Sequence, residues 1–143
     1  MKLICSALFC GWLALLSLSS FGATLDAPLA CTVSAHRFIG ELQTQHLIEP
    51  QPMRVESNSI NAFRPTSDAT LTAFGFRVFA VVGFEKDDPL FRPGDGEPLA
   101  ASAYGAVVLG SETKVQAALE AAGSHAIVHR VAPFITAIFC KWS

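Results

Sequence analysis

The chain has 143 residues, of which 51% are hydrophobic and 15% charged, and its formal net charge at neutral pH is −2. This length suits one globular domain rather than two of ordinary size. Nucleic-acid binding needs clustered basic side chains, so a chain with only ten Lys and Arg argues against it, and against electrostatic attachment to an anionic membrane.

The N-terminus has the three-part pattern of a signal peptide: Lys2, an apolar run over Leu3–Leu18, and then small residues. Gly22 and the residue two places before it are both small, as signal peptidase requires, so we predict a leader over residues 1–22 and a mature domain over 23–143. We expect a periplasmic or secreted protein with no stable membrane insertion after leader cleavage. An uncleaved anchor is the alternative, because the apolar stretch approaches the roughly 20 residues that a spanning helix needs.

Two cysteines remain in the predicted mature domain, Cys31 and Cys140, because Cys5 and Cys10 lie in the leader. Exported proteins fold in oxidising compartments, so we predict a disulfide between them. A cross-link that closes about 110 residues stabilises a fold by roughly 4.7 kcal/mol in the chain-entropy model. Two separate buried thiols are the alternative.

The first half of the mature chain has weaker local signals. Cys31–Leu42 fits neither the helical nor the strand period, so its type stays open. The residues of Met53–Phe63 would lie alternately on two sides of a strand, and many of them are polar. We therefore interpret this segment as an exposed strand at a sheet edge. Leu71–Phe84 is apolar on both faces, which predicts a central strand covered on both sides. Glu85–Ala101 is rich in proline and charge and is predicted to be a long loop.

The clearest local signals begin at Tyr104. Tyr104–Gly110 is a short apolar run that predicts a strand, and Ser111 after it is typical of a helix N-cap. Four apolar residues then recur at helical spacing: Val115, Ala118, Leu119 and Ala122. Gly123 is predicted to end this helix, because glycine readily adopts the left-handed backbone conformation.

Two further strands follow this helix, over Ala126–Val131 and Phe134–Cys140. The C-terminal part is thus a predicted strand-helix-strand-strand unit, and the fold class is α+β, with one small sheet in a single domain. A ferredoxin-like arrangement is the first topology that we consider. The helix would cover one face of the sheet, and Cys31–Leu47 is expected to cover the other.

No pattern in the mature chain carries recognisable site chemistry. Four histidines remain, and His125 and His129 would lie about 13 Å apart on one strand, too far to chelate an ion together. Gly110 and Ser111 lack the further glycines of a phosphate-binding loop, and the GxSxG pattern of serine hydrolases is absent. We therefore predict no catalytic residue, no metal and no cofactor, and hence not an enzyme.

Within the predicted loop over Glu85–Ala101, the stretch Glu85–Glu97 is the one candidate site for a partner. It combines a large apolar side chain with acidic neighbours, and the candidate partner-binding residues are Asp87, Asp88, Phe91, Asp95 and Glu97. In this hypothesis Phe91 enters a pocket of the partner, and the carboxylates steer a basic rim towards it. The alternative is a solvated loop whose Leu90 and Phe91 pack back into the core.

These observations favour an exported, non-catalytic protein-binding module of the inhibitor or immunity-protein kind, which docks onto another exported protein. One alternative is a structural or accessory part of a cell-envelope assembly, in which Met53–Phe63 donates an edge strand. Another is a small-ligand carrier or small enzyme with a pocket between helix and sheet.

Overall fold

The computed structural model describes residues 21–143, so the predicted leader lies almost wholly outside the described residues. Two α-helices, a 3₁₀ turn over Pro28–Ala30 and eight strands make up this part. The helices are α1 (Ala35–Thr44) and α2 (Glu112–Ala122). The strands are β1 (Phe21–Thr24), β2 (Arg54–Val55), β3 (Asn61–Phe63), β4 (Ala69–Ala73), β5 (Phe76–Glu85), β6 (Ser102–Leu109), β7 (Ile127–Ala132) and β8 (Ile135–Trp142).

The strands form one mixed sheet with the order β1-β4-β5-β6-β8-β7. β1 and β4 are parallel, and the other neighbours are antiparallel. One edge of β5 pairs with β4 at Phe76 and Arg77, and further along it pairs with β3 at Val81–Gly83. The hairpin β2–β3 is therefore a second branch of the sheet beside the same strand.

The α+β class is confirmed, and the predicted C-terminal unit is present as β6, α2, β7 and β8. β8 pairs antiparallel with both β6 and β7, so those two strands run parallel to each other with β8 between them. The ferredoxin-like arrangement is not confirmed. That fold alternates strand-helix-strand-strand-helix-strand, whereas five strands separate α1 from α2 here.

Helix α2 forms as its sequence predicts. The Ser111 side chain accepts a hydrogen bond from the backbone N–H of Lys114, and Gly123 ends the helix in the left-handed conformation with φ of 70°. Val115 and Leu119 are its buried residues, so the apolar stripe packs onto the sheet. None of the helices in the described part of the chain is long and apolar enough to span a membrane.

Helix α1 resolves the open question about Cys31–Leu42, and it corrects the expected position of this segment. The Ser34 side chain caps the helix by accepting from the backbone N–H of Arg37. The ring of Phe38 lies 4.6 Å from that of Tyr104, and an added Cβ at Gly83 would lie 2.8 Å from Ile39. α1 thus packs on the same sheet face as α2 and joins the same buried cluster, so it does not cover the other face.

The single central strand predicted over Leu71–Phe84 is wrong in two respects. It is broken at Phe74 and Gly75, which both have positive φ and form the two-residue turn between β4 and β5. Within β5 the pairing register shifts between Val78 and Ala80, which leaves Phe79 as an extra residue. The shift changes which side chains share a face, and only one of the two faces is covered by helices.

The exposed strand predicted over Met53–Phe63 is also wrong as a continuous element. It forms the two short strands β2 and β3, joined by a turn in which Ser59 has a φ of 71°. Asn61 and Phe63 are fully buried, because they point to the helix side of the sheet beside β5. Within Met53–Phe63, only the two residues of β2 lie in a strand with an unpaired edge.

The predicted disulfide between Cys31 and Cys140 is confirmed, with the two Cα atoms 5.4 Å apart and a sequence separation of 109. It joins the end of the 3₁₀ turn to β8. The Ser124 hydroxyl donates a 2.7 Å hydrogen bond to the carbonyl of Leu29, which holds the same N-terminal segment to the region after α2. The segment before α1 is therefore fixed to the core at several points.

Candidate functional site

Side chains of the central strands alternate between a face covered by helices and a face without them. Val81, Tyr104, Ala106, Ile138 and Cys140 lie on the helix side, where they are buried. The intervening residues lie on the opposite side, which we call the open face. Its central residues are Ala80 and Val82 of β5, Ala103 and Val107 of β6, and Ala137 and Phe139 of β8.

The open face is concave and forms a groove with a volume of about 560 Å³. The hairpin β2–β3 forms one wall with Met53, Ile60 and Ala62, and β7 forms the other with His129 and Val131. Leu99 of the long loop also lines the groove. The lining is predominantly apolar, because the central strands present apolar side chains to this face, which no helix covers.

The large apolar side chains that remain exposed in the described residues are concentrated on this face. Met53, Phe79, Leu99 and Val131 line the groove. Leu109 extends the row of Val107 along β6, and Ile127 pairs with Phe139, so both lie on the same side by register. Contiguous exposed apolar surface of this kind marks interaction sites in folded proteins.

Polar groups of the groove are confined to its rim. The Arg54 guanidinium contacts the Glu56 carboxylate at 2.7 Å, so the two charges on the hairpin wall offset each other. Asn58 and His129 also line the groove. The groove therefore offers mainly apolar contacts and few hydrogen-bonding groups, as in the centre of a protein interface.

The wall near Leu99 is held in place by hydrogen bonds between the long loop and the β2–β3 turn. The backbone N–H groups of Gly96 and Leu99 donate to the carbonyls of Ser57 and Asn58, at 2.8 and 2.9 Å. The Ser59 hydroxyl accepts from the N–H of Gly94 at 2.9 Å. The loop over residues 86–101 is thus part of the groove's frame.

Phe91 does not project from this loop as the sequence hypothesis requires. Its side chain is 5% exposed and packs against Phe84, with ring centroids 6.3 Å apart. Leu90 is half-buried against the same core. Leu90 and Phe91 thus pack back against the core, as in the alternative interpretation of this loop, and their apolar surface is removed from water.

The acidic candidates of the loop fall into two groups. Asp88 is occupied within the fold: Oδ2 lies 2.6 Å from Nδ1 of His36 on α1, and Oδ1 accepts from the N–H of Leu90. Asp87, Asp95 and Glu97 are exposed. The last two flank Gly96, whose backbone N–H donates to the carbonyl of Ser57 in the β2–β3 turn.

The remaining polar candidates are not brought together. Within residues 21–143, no group of three or more His, Cys, Asp or Glu side chains is arranged to hold a metal ion. Ser111 acts as a helix cap, as described above. His36 contacts Asp88, whereas His129 lies on the wall of the groove.

No protein-family model matches the chain, and no curated protein or solved structure matches it significantly. What the molecule does must therefore be inferred from its own residues.

The groove could not be predicted from the sequence, because its residues come from six different elements of the fold. Leu71–Phe84 is apolar on both faces, which predicts that both faces are buried. A face that stays uncovered can have the same apolar pattern. The positions of both helices are needed to distinguish a buried apolar face from an uncovered one. The strands themselves did not carry that information.

Proposed function

We propose that this chain is an exported, non-catalytic binding protein of the inhibitor or immunity-protein kind, which docks onto another exported protein through its open face. The observation that carries the proposal is the concentration of exposed apolar side chains on that face. Leaving them in water costs free energy, roughly 25 cal/mol for each Å² of apolar surface. A partner that covers the face recovers that free energy.

Export is supported by the leader pattern and by the disulfide, which persists in oxidising compartments. The periplasm or the extracellular medium is therefore the proposed location. Asp95 and Glu97 are exposed in the loop that is hydrogen-bonded to the β2–β3 turn, and these carboxylates favour a partner whose apolar docking segment has basic neighbours. In this proposal the acidic loop keeps its steering role. The binding surface is the open face and not Phe91.

A protein partner fits the groove better than a small molecule does. Sites for small ligands enclose most of the ligand's surface, whereas this groove is a broad concavity whose walls carry exposed side chains such as Met53 and Val131. An apolar segment of a protein can contact the floor and both walls at once. Such a contact buries the aromatic and aliphatic anchors that carry most interface energy.

The experiment compares capture by matched variants of the full chain, expressed in its host with its own leader and a C-terminal tag. Phe79→Asp and Val131→Asp place a charge on the open face, and Ala117→Asp places the same charge on the exposed side of α2. We expect a protein from the envelope or secreted fraction to be recovered with the wild type and Ala117→Asp and lost with the other two. Equal recovery with all four proteins would contradict the proposal.

A second candidate, a carrier of a small apolar ligand, is favoured by the groove volume of about 560 Å³, which lies within the range of roughly 300–1,000 Å³ for ligand sites. The ligand would then bind on the open face, opposite the helices, and not in a pocket between helix and sheet as the sequence suggests. Native mass spectrometry of the protein purified from its host distinguishes the two candidates. A bound small molecule that Val131→Asp displaces would favour the carrier.

The role as an accessory part of an envelope assembly has less support. It relied on Met53–Phe63 donating an edge strand, and only the two residues of β2 offer such an edge. Donation of an edge strand needs a longer row of backbone groups than two residues provide.

A further inference from the structure

A second hollow lies beside the groove, where β3 ends and β4 begins against β5. Its volume is about 260 Å³, and Phe79 lines both the hollow and the groove. We call it the arginine hollow, because two arginines line it. Its polar lining residues are Arg64, Thr66, Ser67, Thr70 and Arg77.

The arginine hollow lies on the same side of the sheet as the groove. Phe76 and Val78 of β5 both join the buried cluster on the helix side, so strand alternation places Arg77 between them on the open face. Arg64 follows Phe63, which is fully buried, and it lines the same hollow. The open face therefore continues from the apolar groove into a region with two cationic side chains.

Neither guanidinium group has a partner within the described part of the chain. Arg64 and Arg77 are exposed, and within residues 21–143 their side chains form no ion pair and no hydrogen bond. Residues 1–20 contain no Asp or Glu. Both cations are therefore free to bind an external anion. Other arginines have partners in the fold: Arg37 contacts Glu41, Arg54 contacts Glu56, and Arg92 donates to Gln51.

A carboxylate fits the chemistry of this hollow. Two like charges that line one hollow repel each other, and an anion between them offsets that repulsion. Guanidinium groups bind carboxylates through paired hydrogen bonds, and the hydroxyls of Ser67 and Thr70 offer further donors. Asp68, the acidic residue of the same connection, does not line the hollow. A protein segment in the groove supplies such a group as an Asp or Glu side chain.

The arginine hollow and the acidic loop lie towards opposite ends of β5. Asn61 pairs with Gly83, so the β2–β3 turn, to which the loop with Asp95 and Glu97 is hydrogen-bonded, lies beyond Gly83. Arg77 lies six residues before Gly83, or about 20 Å along an extended strand. The open side of the molecule therefore has basic groups towards one end and acidic groups towards the other.

We propose that the partner's docking segment has a carboxylate at one end, which binds Arg64 and Arg77 in the arginine hollow while its apolar residues cover the groove. This inference rests on the proposed function and adds the chemistry of the partner. The basic neighbours of the segment then lie at its other end, towards the acidic loop. Charge complementarity at both ends fixes the direction in which the segment lies.

The first arm of the test removes each charge from the full chain, prepared as for the open-face variants. Arg64→Gln and Arg77→Gln are expected to lower the amount of captured partner at least about fivefold. Arg130→Gln is the matched control, because Arg130 is also exposed but lies outside the hollow, and its capture is expected to equal that of the wild type.

The outcomes of this arm separate the two proposals. Loss of capture by Val131→Asp with undiminished capture by Arg64→Gln and Arg77→Gln would overturn the role of the arginine hollow and leave the proposed function standing. No capture by the wild type would overturn both. Thermal unfolding midpoints equal to that of the wild type are expected for both arginine variants, since neither side chain has a partner in the fold.

The second arm identifies the group that binds in the hollow. Arg77→Lys keeps the positive charge and adds an amine, which a carbodiimide joins to a carboxylate in contact with it. We expect mass spectrometry to find the amine at position 77 joined to an Asp or Glu of the captured protein, and no such link from the control Arg130→Lys. Capture without a link at position 77 would overturn the inference. A link between two copies of this chain would also overturn it, because the occupant would then be a second copy.

Discussion

The hydroxyl group of Tyr104 donates a 2.6 Å hydrogen bond to the carbonyl oxygen of Pro28, 76 residues earlier in the chain. Tyr104 lies in β6 near the centre of the sheet, and its ring packs against Phe38 of α1. This side chain therefore connects the sheet, a helix and the N-terminal segment. Burial raises the pKa of its hydroxyl above the usual 10, and a hydrogen bond with the backbone of Val33 lowers it by less.

This raised pKa predicts a loss of stability in alkaline solution. Below pH 10 the hydroxyl is protonated in both the folded and the unfolded chain, so its ionisation does not affect stability. Above pH 10 the unfolded chain loses the proton first, and the free energy of unfolding falls as the pH rises towards the folded pKa. Urea denaturation on either side of pH 10 measures the fall. Tyr104 is the one tyrosine of the chain, so tyrosinate absorbance reports its ionisation alone.

Tyr104→Phe is the matched variant for this prediction. It keeps the ring and loses the hydrogen bond to Pro28, so we expect a loss of about 1 kcal/mol at neutral pH. Above pH 10 its stability should fall less steeply than that of the wild type. An equal alkaline fall in both proteins would show that another group is responsible.

The disulfide between Cys31 and Cys140 should contribute most of the stability that depends on the N-terminal segment. Replacing both cysteines by serine is expected to lower the free energy of unfolding by about 2–4 kcal/mol, because the unfolded chain regains the freedom of a large loop. Ser124→Ala serves for comparison, since it removes one hydrogen bond to Leu29 and should cost about 1 kcal/mol. If the two changes cost the same in urea denaturation, the cross-link has little effect on the unfolded state.

The parts of the fold that could be predicted are those whose signals are local. Helix α2 could be predicted because Ser111 and Gly123 mark its two ends. Between them, Val115 and Leu119 lie at helical spacing. The pairing of Cys31 with Cys140 followed from their number and compartment alone. Neither conclusion required knowing which elements lie next to each other.

The candidate site could not be predicted, because it depends on contacts between distant segments. Burial of Phe91 against Phe84 follows from how the long loop folds back, which its composition does not determine. The shift at Phe79 moves side chains between faces, and the sequence does not reveal a one-residue shift in a strand with apolar residues on both faces. The position of α1 on the same face as α2 then leaves the other face open.

Asn61 is expected to be the main polar support of the groove's frame. Its side chain is fully buried, with Nδ2 donating to the carbonyls of Ser59 and Arg92 and Oδ1 accepting from the N–H of Arg92. Asn61→Ala removes these three bonds and leaves backbone groups of Arg92 without their partner. We expect a loss of roughly 2–4 kcal/mol in urea denaturation.

The same substitution should release the long loop and so expose Phe91. Chymotrypsin cleavage after Phe91 under native conditions is then expected to be faster than in the wild type, because proteolysis follows the population of locally open states. Asn58→Ala is the control: it loses only the weaker contact to the N–H of Ile60, at 3.2 Å, and keeps the backbone bond to Leu99. If Asn58→Ala is cleaved as fast as Asn61→Ala, the buried amide does not hold the loop, and the frame depends on the backbone bonds between Ser57, Asn58 and the loop instead.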